Sequence, residues 1–464
     1  MPAMLDGDVT HFDLIIVGTG SGNSILDDRF AGWRVAIVER GVFGGTCLNV
    51  GCIPTKMFVH TADFAGTPAA SAKLGVDAEL RGVRWTDVQD RIFGRIDPIA
   101  AGGRDYRKSH PDNANVTVYD GTARFTGPRR LAVGDVELTA DRIVLANGGR
   151  PVELPSLAGL PVHTSDTVMR LDELPRRLVI IGGGFIAAEF AHVFSAFGVD
   201  VTVVTRSGAM LRAEDDDVSR RFTELAGRRW DLRLDRKVLG GSVVDGGLRL
   251  DLDGPSGPEA IETDVVLVAI GRKPNSDTLN LPAAGIDVTT EGFVVVDDTQ
   301  RTSAEGVWAL GDISSPYELK HVANHEARVV QHNLLNPESP IEADHRFVPH
   351  AVFSSPQVAS VGLTERAARE RGVRYVTSTQ DYAGIAYGWA MEDTTGFAKL
   401  LADPSSGQLL GAHIIGPQAS TLIQPLIQAM SFGLDARRMA TGQYWIHPAM
   451  PELIENALLN LPLE

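Results

Sequence analysis

Cys47 and Cys52 are the only cysteines in the chain and stand five residues apart in Gly44–Lys56, GGTCLNVGCIPTK. Two cysteines are too few for a disulfide scaffold or a cysteine zinc site. Their proximity, in a chain that opens without an export signal, reads as catalytic or redox chemistry. In a regular helix, residues five apart lie roughly 8–9 Å apart at Cα, and a disulfide needs less than about 7 Å. A bridge would therefore need a distorted turn, which Asn49 and Gly51 suit. Pro54 fits the first turn of a helix. Cys52 is then expected near a helix N-terminus, where the positive end of the dipole stabilises a thiolate. Lys56, four residues on, adds positive charge to the same face.

Two apolar runs end in glycine-rich loops. FDLIIVGTGSGN carries Gly18, Gly20 and Asn23 at the G-x-G-x-x-G positions. A buried strand, a tight turn and a helix are expected, the helix N-terminus favouring a pyrophosphate. Asn23 replaces the third glycine, with Gly22 beside it to supply slack. The next strand, RVAIVER, ends at Glu39, 21 residues after Gly18, close to the spacing of a ribose-binding acid. The second run, IIGGGFIAAEF, repeats the pattern with Gly182, Gly184 and Ala187. Its following strand, DVTVVTR, ends in Thr205 and Arg206, where an NAD site places an acid, and Arg212 lies six further on. Two guanidiniums and no carboxylate suit the 2′-phosphate of NADPH.

These loops need domains to hold them. The 464 residues correspond to about three domains. A composition of 44% hydrophobic and 22% charged residues is that of an ordinary globular chain rather than a disordered one. The net charge of -16 argues against a broad basic footprint for nucleic acid or an anionic membrane. No run approaches the ~18 apolar residues of a spanning helix. The acidic, polar opening MPAMLDGDVTHFD is unlike a signal peptide, so a cytoplasmic address is expected. Thr117 to Leu145 and Val243 to Ile270 alternate as β-meanders do. Pro151 and Pro155 mark a crossing between domains. From about Phe347, AVFSSPQVASVGL and GFAKLLADPSSGQLLGAHII read as antiparallel strands. Two helices are expected after them, from about Ala419 and from about Pro451.

GGTCLNVGCIPTK resembles the redox signature of the flavoprotein disulfide reductases, the group of glutathione reductase, lipoamide dehydrogenase and mercuric reductase. The resemblance runs along essentially the whole chain. It implies an α/β fold of two Rossmann-like nucleotide-binding domains, for FAD and NADPH, and a C-terminal α+β dimerisation domain. The implied division is residues 1–155 and 274–345 for FAD, 156–273 for NADPH and 346–464 for dimerisation. The first glycine loop with Glu39 resembles the FAD site, to which Gly45, Thr46 and Lys56 of the redox segment also belong. ALGDISS resembles the second FAD motif, with Gly311 and with Asp312 on the ribitol. VLANGGRP resembles a strand end that usually reads ATG; Asn147 replaces the threonine and Gly148 follows. The second loop, with Gly271, resembles the pyridine nucleotide site.

The resemblance also implies roles in catalysis. Cys47 and Cys52 form the redox disulfide, with Cys52 as the flavin-side thiolate and Cys47 as the interchange thiol. Lys56 lies near the flavin and pairs with Glu189, for which a helix surface charge is the alternative. IHPAMPE resembles the C-terminal His–Glu signature, in which His447 is the acid–base and Glu452 orients it. Ala449, Met450 and Pro451 depart from the usual intervening residues. In that family the histidine comes from the partner subunit, so a homodimer is expected. His321 and His325 are four apart, but Glu326 is misplaced for a metal-binding HExxH, and no metal is expected. Tyr106 is a candidate for the substrate cleft.

The substrate expected is a small disulfide. The stretches GTGSGNSILD, YELKHVANHEARVVQHN, YGWAMEDT and GQYWIHPA lie outside the shared signatures and carry subfamily information. Gln443, Tyr444 and Trp445, with Asn23, Asp27, Asp28 and only Arg29, fit a neutral polyol better than a polyanionic peptide. Lipoamide is the alternative, opposed by Thr205 and Arg206. Mercuric reductase and the large thioredoxin reductases need cysteines near the C-terminus, and this chain has none after Cys52.

Overall fold

The computed structural model describes residues 9–464; most of the opening segment read for an export signal lies outside them. The chain divides into two compact units. One combines the residues up to Thr55 with Gln89–Val152 and Arg272–Asp344; the other combines Lys56–Val88, Glu153–Gly271 and His345–Glu464.

The first unit is built on a parallel sheet. Strand Thr10–Val17 lies between Val35–Glu39 and Val136–Leu145, with Val116–Asp120 outside the former and Val307–Ala309 against the latter. Leu14, Ile15 and Ile16 are fully buried, as a strand covered on both faces requires. An antiparallel meander, Ala123–Gly127 and Arg130–Val133, extends the sheet from the start of Val136–Leu145.

The second unit holds two further sheets of five strands. One is parallel, with Arg177–Ile181 between Asp200–Val204 and Val265–Val268. A three-stranded antiparallel sheet covers Lys237–Thr263. The C-terminal sheet is antiparallel, in the order Pro349–Val352, Gln357–Gly362, Leu409–Gly416, Phe397–Ala402, Val376–Asp381. Its buried face packs against C-terminal helices through residues such as Leu400, Ile414, Leu426 and Leu453. The architecture is α/β with two Rossmann-like sheets and a C-terminal α+β region. No helix among the described residues is long and apolar enough to cross a membrane.

Two expectations are corrected. After the strand Leu409–Gly416 come four short helices, Ala419–Leu422, Gln424–Phe432, Ala436–Thr441 and Glu452–Leu459, rather than two. Gly433 and Asp435 interrupt the run. The glycine adopts the left-handed conformation that ends one helix, and Asp435 caps the next. The first glycine loop does not open an α-helix. It is followed by two 3₁₀ turns, Ser21–Ile25 and Asp28–Phe30. The Arg107 guanidinium takes the carbonyls of Asn23 and Leu26 at 3.0 and 3.2 Å. Asp27 caps the second turn by accepting from the Arg29 N–H. Ser, Asn and Asp side chains offer the backbone such alternatives to helical pairing.

Candidate active site

The two glycine loops are built alike. Gly18 and Gly182 have φ of 100° and 138°. Each donates its N–H at 2.8 Å across to the neighbouring strand, to Val38 and Val204. A methyl on Gly18 would lie 2.4 Å from the Ala146 carbonyl oxygen, and one on Gly182 2.1 Å from that of Ala269. Both positions therefore admit only glycine. Gly184 caps the helix Phe185–Ala196, in which Ala187 is buried.

At the first loop, Glu39 ends its strand. Its Oε2 accepts from the Thr19 N–H and hydroxyl at 2.9 and 2.6 Å, and its Oε1 from the Gly41 N–H at 2.8 Å. Asn23 turns its side chain onto Arg107, at 2.8 Å. The residues nearby fit a flavin nucleotide. Asn147 has a buried Oδ1 with no protein donor, an acceptor left over for a ligand. Asp312, beside Gly311, has its carboxyl held above the ordinary value, mainly by burial. A half-buried acid with this environment suits a sugar hydroxyl. The Gly311 N–H is taken by Glu326 at 2.6 Å.

The cysteine segment contains the break that a Cys47–Cys52 bridge needs. Helix Gly45–Asn49 stops, and helix Cys52–Ser71 starts at Cys52. Asn49 secures the break by donating its amide to the carbonyls of Phe43 and Gly45 at 2.8 and 3.0 Å. Both cysteines are free thiols, Cys47 half-buried and Cys52 exposed. The Cys47 thiol hydrogen-bonds Cys52, and this bond, with burial, pushes Cys47 far up; the Lys320 ammonium opposes the rise. Cys52 stands at the start of its helix, where the positive end of the dipole favours a negative charge.

In the second unit, Lys56 Nζ lies 2.7 and 2.6 Å from the two carboxylate oxygens of Glu189. Glu189 is 4% exposed, so the surface-charge reading fails. Its Oε1 also accepts from the Phe353 N–H at 2.9 Å, and the Lys56 ammonium sits 4.5 Å from the Phe353 ring centroid. His447 Nδ1 is 2.5 Å from Glu452 Oε1, and the Ala449 N–H donates to Oε2 at 3.2 Å. The His447 side chain is largely exposed while Glu452 is held in place. Such a pairing fixes the imidazole and leaves Nε2 for proton transfer.

Arg206 and Arg212 are exposed, beside the buried Thr205. Gly271, φ 127°, follows the strand Val265–Val268. Of the candidate substrate wall, Gln443 and Trp445 spend their N–H groups on the carbonyls of Met439 and Ala440. Tyr444 is fully exposed. Asp27 and Arg29 pair with each other, and Tyr106 stacks on His110 at 4.9 Å. The pattern of residue types missed Lys320, Arg107 and the Phe353 N–H. Lys320 was visible as one of seven lysines in an arginine-rich chain, within a subfamily stretch.

Residues 12–327 match the family model described as pyridine nucleotide-disulphide oxidoreductase, and residues 348–458 match that family's dimerisation domain. The chain is 57% identical to a mycothione reductase of Mycobacterium tuberculosis, over 97% of this chain and 99% of the relative. It is 32% identical to a dihydrolipoyl dehydrogenase of Haloferax volcanii, over 98% of each. Among solved structures, the HOCl-induced flavoprotein disulfide reductase RclA from Escherichia coli superposes with a TM-score of 0.83 at 28% identity, covering 97% of this chain and 99% of that one. Two glycine loops of matching build, a hydrogen-bonded cysteine pair and these matches along nearly the whole chain lead to one assignment: the chain belongs to the pyridine nucleotide-disulphide oxidoreductase family.

Proposed function

We propose that this chain is a mycothione reductase, which uses NADPH and FAD to reduce the symmetric disulfide of mycothiol to two thiols. The observation that carries the substrate is the 57% identity, over nearly the full length of both chains, to an enzyme of that name. The proposed division is FAD on residues 1–155 and 274–345, NADPH on 156–273, and a homodimer formed through 346–464. A cytoplasmic location belongs to the same reading.

FAD, when bound, relays two electrons from the nicotinamide to the cysteine pair. Gly18, Gly20, Gly22, Asn23, Glu39, Gly45, Thr46, Asn147, Gly148, Gly311 and Asp312 hold it, with Lys56 nearby. Gly182, Gly184, Ala187 and Gly271 hold NADPH, and Arg206 and Arg212 read its 2′-phosphate. Reduction breaks the Cys47–Cys52 bond and leaves one thiolate and one thiol. Cys47 then attacks a sulfur of mycothione, forming a mixed disulfide as the substrate S–S bond breaks. His447 of the partner subunit takes the proton from Cys47 and returns it to the departing thiolate. Cys52 attacks Cys47, closing the bridge and releasing the second thiol, whose proton comes from solvent through the same imidazole. One hydride and one proton are consumed for each disulfide.

The test is kcat/KM for mycothione, glutathione disulfide and lipoamide, side by side with NADPH. Mycothione should lead by several orders of magnitude, because a site built for hydroxyls leaves buried polar groups unpaired with other substrates, at roughly 1–3 kcal/mol each. A preference for either of the others would overturn the substrate assignment and leave the family intact.

A further inference from the structure

Lys320 opens the helix Lys320–Leu335 and makes no ion pair among the described residues. Its ammonium donates instead to the Ser21 hydroxyl at 2.7 Å, and that hydroxyl donates to Asn324 Oδ1 at 3.2 Å, one turn along the same helix. Ser21 adjoins Gly20, and Gly20 packs against the start of the redox segment. A methyl on Gly45 would lie 2.8 Å from the Gly20 Cα, and Cys47 is two residues beyond. The hydroxyl therefore tethers a half-buried cation, outside any ion pair among the described residues, close enough to act on Cys47.

We propose that Lys320 is a positioning residue of the redox centre, whose tethered ammonium keeps the reduced Cys47–Cys52 pair ionised at neutral pH. The inference rests on the reading of that pair as redox-active. A fixed positive charge near a thiol favours the thiolate and, through linkage, the reduced form of the pair. The groups facing this region bear on its strength. Cys52 is the partner of Cys47, and Lys320 is the cation that acts on it. Asp312, Glu326 and Arg272 form a second cluster, in which burial raises Asp312 and Arg272 and Lys320 oppose the rise. Glu318 is likewise raised by burial.

The experiment is the pH dependence of iodoacetamide alkylation at Cys47 and Cys52 in NADPH-reduced holoenzyme, read by mass spectrometry. Wild type is compared with Lys320→Gln, Lys320→Arg and Ser21→Ala, and FAD content is measured in each. Lys320→Gln keeps a donor for Ser21 and removes the charge. Its thiolate midpoint should rise by about one unit, a tenfold loss of reactivity at neutral pH. Lys320→Arg should restore the wild-type curve, and Ser21→Ala should move it less than Lys320→Gln. A Lys320→Gln curve that coincides with wild type overturns the inference. So does a Lys320→Arg curve displaced as far as that of Lys320→Gln, or a loss of FAD with an unmoved titration. Lys320→Thr is the second neutral variant if Lys320→Gln fails to fold. If NADPH fails to expose Cys47 to alkylation in wild type, the redox reading falls and this inference with it. A wild type that responds but whose variants do not differ from it overturns this inference alone.

Discussion

His447 Nδ1 lies 2.5 Å from Glu452 Oε1, and the second oxygen of that carboxylate accepts the Ala449 N–H. The imidazole is thus oriented from a helix start, by a carboxylate that is itself anchored, while the rest of the ring stays exposed. Such an arrangement suits the proton transfer proposed for His447.

His447→Ala should lower turnover with the disulfide by about 10²–10⁴, the usual worth of a positioned acid–base. Reduction of the enzyme by NADPH should keep its wild-type rate in stopped-flow. Glu452→Gln should fall between the two. Equal loss in both half-reactions would remove His447 from the disulfide chemistry.

Replacing both Arg206 and Arg212 by alanine should raise KM for NADPH by about ten- to a hundredfold, the worth of one or two charge-assisted hydrogen bonds. KM for NADH should change little. Steady-state kinetics with both nucleotides checks this, and parallel losses would show that the arginines do not read the 2′-phosphate.

Subunit exchange between an inactive Cys47→Ser parent and an inactive His447→Ala parent should restore part of the activity. One site of each mixed dimer then holds an intact cysteine pair and an intact histidine. Exchange verified by mass, with no recovered turnover, would place both residues' functions within one subunit.

Lys399 is 3% exposed, with its ammonium 2.8, 2.6 and 2.7 Å from Asp215, Asp217 and Glu365. Lys399→Met should cost about 3–5 kcal/mol, because it leaves the buried Asp215 carboxylate without its cation. Burial is the largest single influence on Asp215 and Asp217 and raises both, yet the hydrogen bonds and charges around them, Lys399 foremost, together bring both below their ordinary values; in Glu365 the lysine is the leading cause of the same shift. Depressed carboxyls contribute stability above their unfolded pKa of about 4 and lose it as pH falls through the folded values. The difference between wild type and Lys399→Met should therefore be full at neutral pH and shrink below about pH 4. Denaturant unfolding across that range tests the sign.

Much of the site is legible along the chain because its demands are local. Gly18 and Gly182 turn at φ of 100° and 138°, a local backbone demand that glycine alone meets readily. A bridge between Cys47 and Cys52 needs a broken helix, and the break lies at Val50 and Gly51. The apolar runs around Leu14 and Ile180 declare strands buried on both faces. What pairs across the chain is decided by tertiary structure. Glu189 becomes a buried partner of Lys56 only because residues 133 apart are brought together. Lys320 finds Ser21 across 299 residues. Arg107 reaches 81 residues back to take the Leu26 carbonyl, between the two 3₁₀ turns that stand where a helix was expected. Local sequence sets what the backbone tolerates, whereas the choice among tolerated states goes to whichever distant charge or donor satisfies the most buried polar groups.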